Sequence, residues 1–128
     1  MMVTRRDFAY LMITGVVVAF ASTKRTLSTE QYFFSVIEDL PVMPQLVEDT
    51  GAAMTFESSA GRVAEVEANG LASSNAIDAY YEQSLPQLGW RPQSNGVYRR
   101  GKELLAIEVK AGLGGTVKVL FHLGPASP

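Results

Sequence analysis

The 128-residue sequence contains no cysteine and only one histidine, His122. Without cysteine the chain has no disulfide, thiolate nucleophile or zinc–thiolate site, and a single histidine excludes metal sites built from several imidazoles. The Gly-x-Ser-x-Gly, His-Glu-x-x-His, phosphate-loop and dinucleotide-binding patterns are also missing from the sequence. These absences predict a protein that is not an enzyme and that has no cofactor or metal site.

Excess charge of one sign is missing as well. The chain has 11 Lys and Arg against 13 Asp and Glu, a formal net charge of −2. Such a balance supplies no overall attraction to a phosphate backbone, so we expect no binding to nucleic acid. The hydrophobic content of 47% is too high for a disordered chain. Length and composition together predict one folded domain.

A short apolar run near the N-terminus predicts export. Basic residues precede this run, which covers residues 9–21 and ends in the small side chains of Ala19 and Ala21. A basic start, a short apolar stretch and a small-residue cleavage site are the three parts of a signal peptide. We therefore assign residues 1–21 to an export signal that is cleaved before Ser22, and we predict a periplasmic protein.

The start of this segment resembles a twin-arginine translocation signal. Arg5 and Arg6 form the pair, and Phe8 follows one residue after it. The alternative to a cleaved signal is an inner-membrane anchor formed by residues 8–23. Its apolar part is shorter than the ~20 residues that span a bilayer. We expect the protein to contact the membrane only through this N-terminal segment, and only if the segment is not cleaved.

Residues 22–50 are predicted to form a tether followed by an extended segment. Pro41 and Pro44 fix the backbone and remove hydrogen-bond donors, so the apolar residues around them are not expected to form a helix. We expect these apolar side chains, Met43 among them, to wrap onto the domain. The alternative is that they form a strip on which a partner docks.

The folded unit is predicted to cover residues 51–125. Residues 53–57 have short strand character, and apolar and polar residues alternate along 62–68, 104–110 and 116–123, which is typical of half-buried strands. A helix is predicted between them, because six side chains share the 3.6-residue spacing of one helix face. These six are Ile77, Tyr80, Tyr81, Ser84, Leu85 and Leu88.

The helix has clear end signals. Ser73 or Ser74 is expected to cap its first turn, Asp78 to lie near its positive end, and Pro86 to end it. After the helix, residues 90–100 are expected to form one strand interrupted by a turn at its Asn-Gly pair. The predicted order is ββαβββ, a single α+β domain with one helix packed on one face of an antiparallel sheet.

Two motifs within residues 40–125 resemble those of a known family. The first is Pro-Val-Met-Pro at residues 41–44, and the second is the helix end Tyr-Tyr-x-x-x-Leu-Pro-x-Leu-Gly-Trp at residues 80–90. Both are similar to segments of a family of small exported alphaproteobacterial proteins. That family has no assigned activity, so the resemblance implies the fold and export but no chemistry.

The histidine and a carboxylate pair are weak candidates for catalysis. His122 alternates out of phase with the inward side chains of its strand, so we expect it on the outer face as a surface residue. Glu65 and Glu67 lie two apart on one strand, about 7 Å from each other, which would suit metal binding or inverting hydrolysis. Nothing else in the sequence completes such a site, and we expect both to solubilise the sheet.

Acidic and basic residues are unevenly distributed. Residues 38–67 contain seven acids and one base, whereas residues 91–118 contain six bases and two acids. We expect the two segments to be neighbours whose charges compensate one another. The alternative is a domain with an acidic end and a basic end, suited to head-to-tail contact or to anionic partners.

The predicted function is that of an exported, non-enzymatic module that binds or stabilises another protein of the cell envelope. The first alternative is a carrier of a small apolar or amphipathic ligand between helix and sheet, and a hydrolase has the least support. Trp90 is expected to be buried where the helix meets the sheet. The alternative is that Tyr80, Tyr81 and Trp90 line a small apolar pocket. The candidate surface for a partner or ligand consists of Pro41, Met43, Pro44, Tyr80 and Trp90.

Overall fold

The computed structural model describes residues 30–126. The predictions of an export signal, of its cleavage site and of an anchor therefore lie outside the described residues. Within residues 30–126, every helix is too short or too polar to cross a membrane. The signal residues outside the description are Arg5, Arg6, Phe8, Ala19 and Ala21.

The described chain contains nine strands and one α-helix, together with three short 3-10 turns. The helix α1 covers Ser74–Ser84. The strands are β1 (Tyr32–Phe33), β2 (Pro41–Val42), β3 (Leu46–Glu48), β4 (Met54–Ser58), β5 (Gly61–Gly70), β6 (Arg91–Ser94), β7 (Val97–Arg100), β8 (Glu103–Ala111) and β9 (Val117–Pro125).

Seven of the strands form one antiparallel sheet. The order across it is β3-β5-β9-β8-β7-β6, and β4 pairs with the same side of β5 as β3 does. β1 and β2 form a separate two-stranded pair. The predicted α+β class, with one helix on one face of an antiparallel sheet, is confirmed.

The segment expected as one interrupted strand is instead a hairpin. β6 and β7 pair with each other, with Arg91 opposite Arg99, and the Asn95-Gly96 pair forms the turn between them. Gly96 has a φ of +73°, which the primed hairpin turns require and which glycine adopts without strain. Four strands rather than three therefore follow the helix.

The core lies between one sheet face and the helix. On β5 and β9, the side chains predicted to point inward are buried except Val117, which is half-buried. The Tyr81 ring of α1 lies 5.2 Å from the Phe121 ring of β9. Burial of these apolar side chains is the main favourable contribution to folding. The buried residues of these three elements are Ala64, Val66, Ala68, Ile77, Tyr81, Val119, Phe121 and Leu123.

The N-terminal segment completes the core, so the folded unit begins well before Gly51. The apolar side chains of this segment belong to the same buried cluster as those of the helix and the sheet. Residues 34–46 form this part of the core, and the Phe34 ring lies 4.8 Å from the Phe121 ring. The buried apolar residues of this segment are Phe34, Ile37, Leu40, Val42, Met43 and Leu46.

The helix ends follow local chemistry. The Ser73 hydroxyl accepts a hydrogen bond from the Ala76 N–H at 3.1 Å, which makes Ser73 the N-cap. Asp78 is therefore the fifth helical residue and lies beyond the first turn, so the expectation that it sits near the positive end is wrong. Pro86 starts a 3-10 turn, and Gly89, with a φ of +92°, reverses the chain into Trp90.

Candidate ligand groove between the helix and the hairpin

A groove of about 590 Å³ lies between α1 and the β6–β7 hairpin. Volumes of this size are typical of sites that bind small molecules or single segments of a partner. Side chains of the helix form one wall, and the hairpin with its Asn-Gly turn forms the other. The lining residues are Ile77, Asp78, Tyr81, Glu82, Pro92, Gln93, Ser94, Asn95, Gly96, Tyr98 and Ile107.

The floor of the groove is apolar and aromatic. Ile77 and Tyr81 are buried in the core, and Tyr98 of β7 is buried beside them. Ile107 of β8 is half-buried and continues the floor under the turn. The Tyr81 hydroxyl points away into the core, where it donates to the Pro41 carbonyl at 2.8 Å. Ile77 and Tyr81 thus form the apolar base of the groove, and the apolar surface that its floor offers to a ligand comes mainly from Ile107 and the edge of Tyr98.

The helical wall of the groove is acidic. Asp78 and Glu82 are four residues apart, so they lie on one helix face, and both are exposed. Loss of solvent raises the pKa of Tyr98, and the nearby charges of Glu82 and Asp78 raise this pKa further. The Tyr98 phenol therefore stays neutral at ordinary pH. The lining contains no Lys or Arg, so the groove combines negative charge with an apolar floor, an arrangement that suits a cationic amphipathic group.

His122 lies on the outer face of the sheet, as predicted, but it is not isolated. Its Nδ1 lies 2.9 Å from a carboxylate oxygen of Glu65, which is directly opposite it in the β5–β9 register. The shallow concavity around this pair has a volume of about 290 Å³, and its lining contains no hydroxyl, thiol or lysine. The described residues around His122 thus supply a base and its carboxylate partner without a nucleophile.

The two carboxylates of β5 contact different side chains of β9. Glu65 contacts His122, while a carboxylate oxygen of Glu67 lies 4.0 Å from the Lys118 ammonium group of β9. The structure therefore engages the two glutamates in separate cross-strand contacts. It does not bring them together on a shared ligand site.

The acidic and basic segments of the chain are neighbours, as the sequence analysis expected. Lys118 pairs with Glu67, and Arg100 of β7 forms an ion pair with Asp39 of the N-terminal segment. The Arg100 guanidinium group also lies 4.3 Å above the Trp90 ring and donates to the Leu88 carbonyl. This cluster fastens residues 34–46 to the end of the helix and to the hairpin.

The five residues predicted as a partner or ligand surface do not form one surface. Pro41, Met43 and Trp90 are buried, the last with only 1% of its surface exposed, which confirms the expected burial of Trp90. Tyr80 is half-buried, and Pro44 is exposed at the turn between β2 and β3. A partner would meet only Tyr80 and Pro44 of this set.

The sequence pattern identifies Ile77, Asp78 and Tyr81 as helix residues but does not indicate that they line a groove. Tyr98 is predicted only as part of a strand, and Glu82 belongs to no predicted site. One signal was available, since Asp78 and Glu82 are an acidic pair at helical spacing without a basic residue between them. Their position opposite the hairpin depends on how the sheet orders β6 and β7, which the local sequence does not specify.

Comparisons with known proteins add no relative. No family model, curated protein or solved structure matches the chain. The geometry of the groove is therefore the basis for a functional proposal.

Proposed function

We propose that this protein is exported to the cell envelope and acts there as a non-enzymatic binding module. Its groove holds a positively charged amphipathic segment of another envelope protein. The observation that supports this most directly is the pairing of Asp78 and Glu82 with the apolar floor beneath them. A Lys or Arg side chain has an apolar stem and a charged head, so it matches both parts of the groove.

The packing of the interior favours binding at the surface over binding inside the domain. Between helix and sheet, Ile77, Tyr81 and Phe121 are each at most 1% exposed, and their neighbours are packed closely against them. Protein interiors packed in this way have little room for a guest molecule. A ligand would therefore lie in the open groove, where a segment of a second protein has access.

Site-specific photo-crosslinking in the cell tests this proposal. We expect a photoreactive amino acid at Ser94, on the groove wall, to capture one protein with a basic segment at the contact. The double variant Asp78→Asn/Glu82→Gln should lose this product because the charges that attract the segment are gone. The matched control Glu38→Gln/Glu108→Gln removes two exposed carboxylates that do not line the groove, and it should retain the product. Equal yields from both double variants would contradict the proposal.

The second candidate function is a carrier of a small amphipathic cation. The groove volume of about 590 Å³ favours it, because this volume fits a small molecule. Native mass spectrometry of protein purified from the envelope distinguishes the two. A bound mass of a few hundred daltons that disappears in Asp78→Asn/Glu82→Gln would support a carrier, whereas protein without added mass would favour the protein partner.

A further inference from the structure

The edge strand β4 is open along its whole length. All five of its residues are exposed, and its apolar side chains Met54 and Phe56 are 44% and 51% exposed. Within residues 30–126, β4 pairs only with β5, so its other side has no strand partner there. An edge strand of this kind is a template on which another strand can pair.

The backbone groups on the open side of β4 can be identified from the register. The Asp49 N–H donates to the Glu67 carbonyl, so odd-numbered residues of β5 direct their backbone groups toward the β3–β4 side. Val63 and Glu65 therefore bond to their partners Phe56 and Met54. Thr55, which lies between Met54 and Phe56, directs its N–H and C=O away from β5. Glu57, which follows Phe56, does the same.

The opposite edge of the sheet, formed by β6, is protected against pairing with another strand, whereas the β4 edge is not. β6 contains Pro92, which has no N–H to offer, and its register with β7 shifts between Pro92 and Ser94. Proline and register irregularities are devices that prevent pairing at sheet edges. β4 has no proline, no lysine and a regular register of five consecutive pairs. The chain thus blocks one edge and leaves the other able to pair.

We propose that β4 pairs with β4 of a second copy of this chain, antiparallel and about a two-fold axis at Phe56. In this register Thr55 of each copy lies opposite Glu57 of the other, and their outward N–H and C=O groups form four hydrogen bonds. The two Phe56 side chains lie directly across the axis on the outer face of the sheet. Aromatic cross-strand pairs of this kind stabilise antiparallel strands.

Self-complementarity identifies the second copy as the occupant. A two-fold contact requires a patch that matches itself. The register centred on Phe56 makes β4 match itself in two ways. The outward backbone groups of one copy meet those of the other, and Glu57 lies opposite Thr55 rather than opposite another charged side chain. Small residues flank the strand on both sides, so nothing bulky blocks the approach; they are Ala52, Ala53, Ser59 and Ala60. A contact of one short strand buries less than a standard interface, so the dimer forms in a concentration-dependent way.

Cysteine crosslinking tests the register, and the full chain is suited to it because it contains no native cysteine. In Phe56→Cys the two thiols meet across the axis, and mild oxidation should give a covalent dimer rapidly. Gln93→Cys, on the protected edge, is the matched control and should crosslink at least tenfold more slowly. Equal rates for the two variants would overturn the proposal.

Sedimentation of the full chain tests the same contact without cysteine. The wild-type mass should rise from one chain toward two with concentration. Thr55→Pro removes an N–H that does not bond to β5, and Phe56→Lys places two like charges across the axis, so both should stay monomeric. Val47→Lys is the control, since Val47 is 73% exposed but lies on β3, and it should dimerise like the wild type. A wild-type monomer at all concentrations, or dimers of Phe56→Lys, would overturn the proposal.

Discussion

At the scale of single residues, Tyr81 joins the helix to the N-terminal segment. Its hydroxyl donates to the Pro41 carbonyl at 2.8 Å and accepts a bond from the Met43 N–H at 3.3 Å. Both backbone groups belong to the proline-containing segment of residues 41–44. Burial raises the pKa of the Tyr81 hydroxyl far above its usual value, so it remains a neutral donor. One side chain thus satisfies two buried polar groups that lie 40 and 38 residues away in the chain.

Tyr81→Phe should lower the free energy of unfolding by about 1–3 kcal/mol. The ring remains, but the Pro41 carbonyl and the Met43 N–H lose their hydroxyl partner in a buried setting. Urea unfolding of the full chain measures the change. Tyr80→Phe is the matched control, because the Tyr80 hydroxyl is exposed at its 3.5 Å contact with Gln31, and we expect less than about 0.5 kcal/mol there. Equal losses for the two variants would contradict the assignment.

Stability should fall as the pH rises above about 10. An unfolded tyrosine ionises near pH 10, whereas the raised pKa of Tyr81 keeps it protonated in the folded state. Above pH 10 the unfolded state therefore binds fewer protons, and the free energy of unfolding decreases. Unfolding curves between pH 8 and 11 measure this slope. The slope should be shallower in Tyr81→Phe, and an unchanged slope would show that Tyr81 is not its source.

At the scale of elements, hydrophobic periodicity predicted the helix and the strands that have one buried face and one exposed face. β5, α1, β8 and β9 have clear 2.0- or 3.6-residue patterns because one side of each faces the core and the other faces solvent. The segment around Pro41 and Pro44 has no such period. Its pattern predicts that its apolar side chains cover the domain, but it does not predict the strands β2 and β3. The groove was not predicted either, since its two walls are brought together by the sheet order.

The β6–β7 turn provides a test at this scale. Gly96 and Gly101 both have a positive φ, but a Cβ on Gly96 would lie 2.7 Å from the Ile107 carbonyl oxygen, whereas a Cβ on Gly101 would meet nothing within 4 Å. Alanine at either position incurs the left-handed strain of about 1–2 kcal/mol. Gly96→Ala should therefore be the more destabilising variant and should also disturb the groove. Thermal unfolding compares the two, and equal losses would mean that the turn tolerates a side chain.

At the scale of the whole molecule, ion pairs join the acidic and basic segments of the chain, whereas no basic residue lines the groove. Arg100, Lys118 and His122 each contact a carboxylate from the acidic segment of the chain. Asp78 and Glu82 line a groove without Lys or Arg. Because exposed ion pairs contribute only about 0–1 kcal/mol each, this distribution matters more for recognition than for stability. Asp78 and Glu82 thus place two negative charges where a ligand can enter.

Calorimetric titration of the full chain with a short amphipathic peptide that alternates Leu and Lys tests the central claim most directly. The same peptide with Glu in place of Lys is the ligand control, and Asp78→Asn/Glu82→Gln is the protein control. We predict that the wild type binds the Lys peptide at least about tenfold more tightly than the double variant does, a difference of ~1.4 kcal/mol. The difference should shrink as salt is added, and the Glu peptide should not bind. Equal affinity of the wild type and the double variant for the Lys peptide would contradict the account.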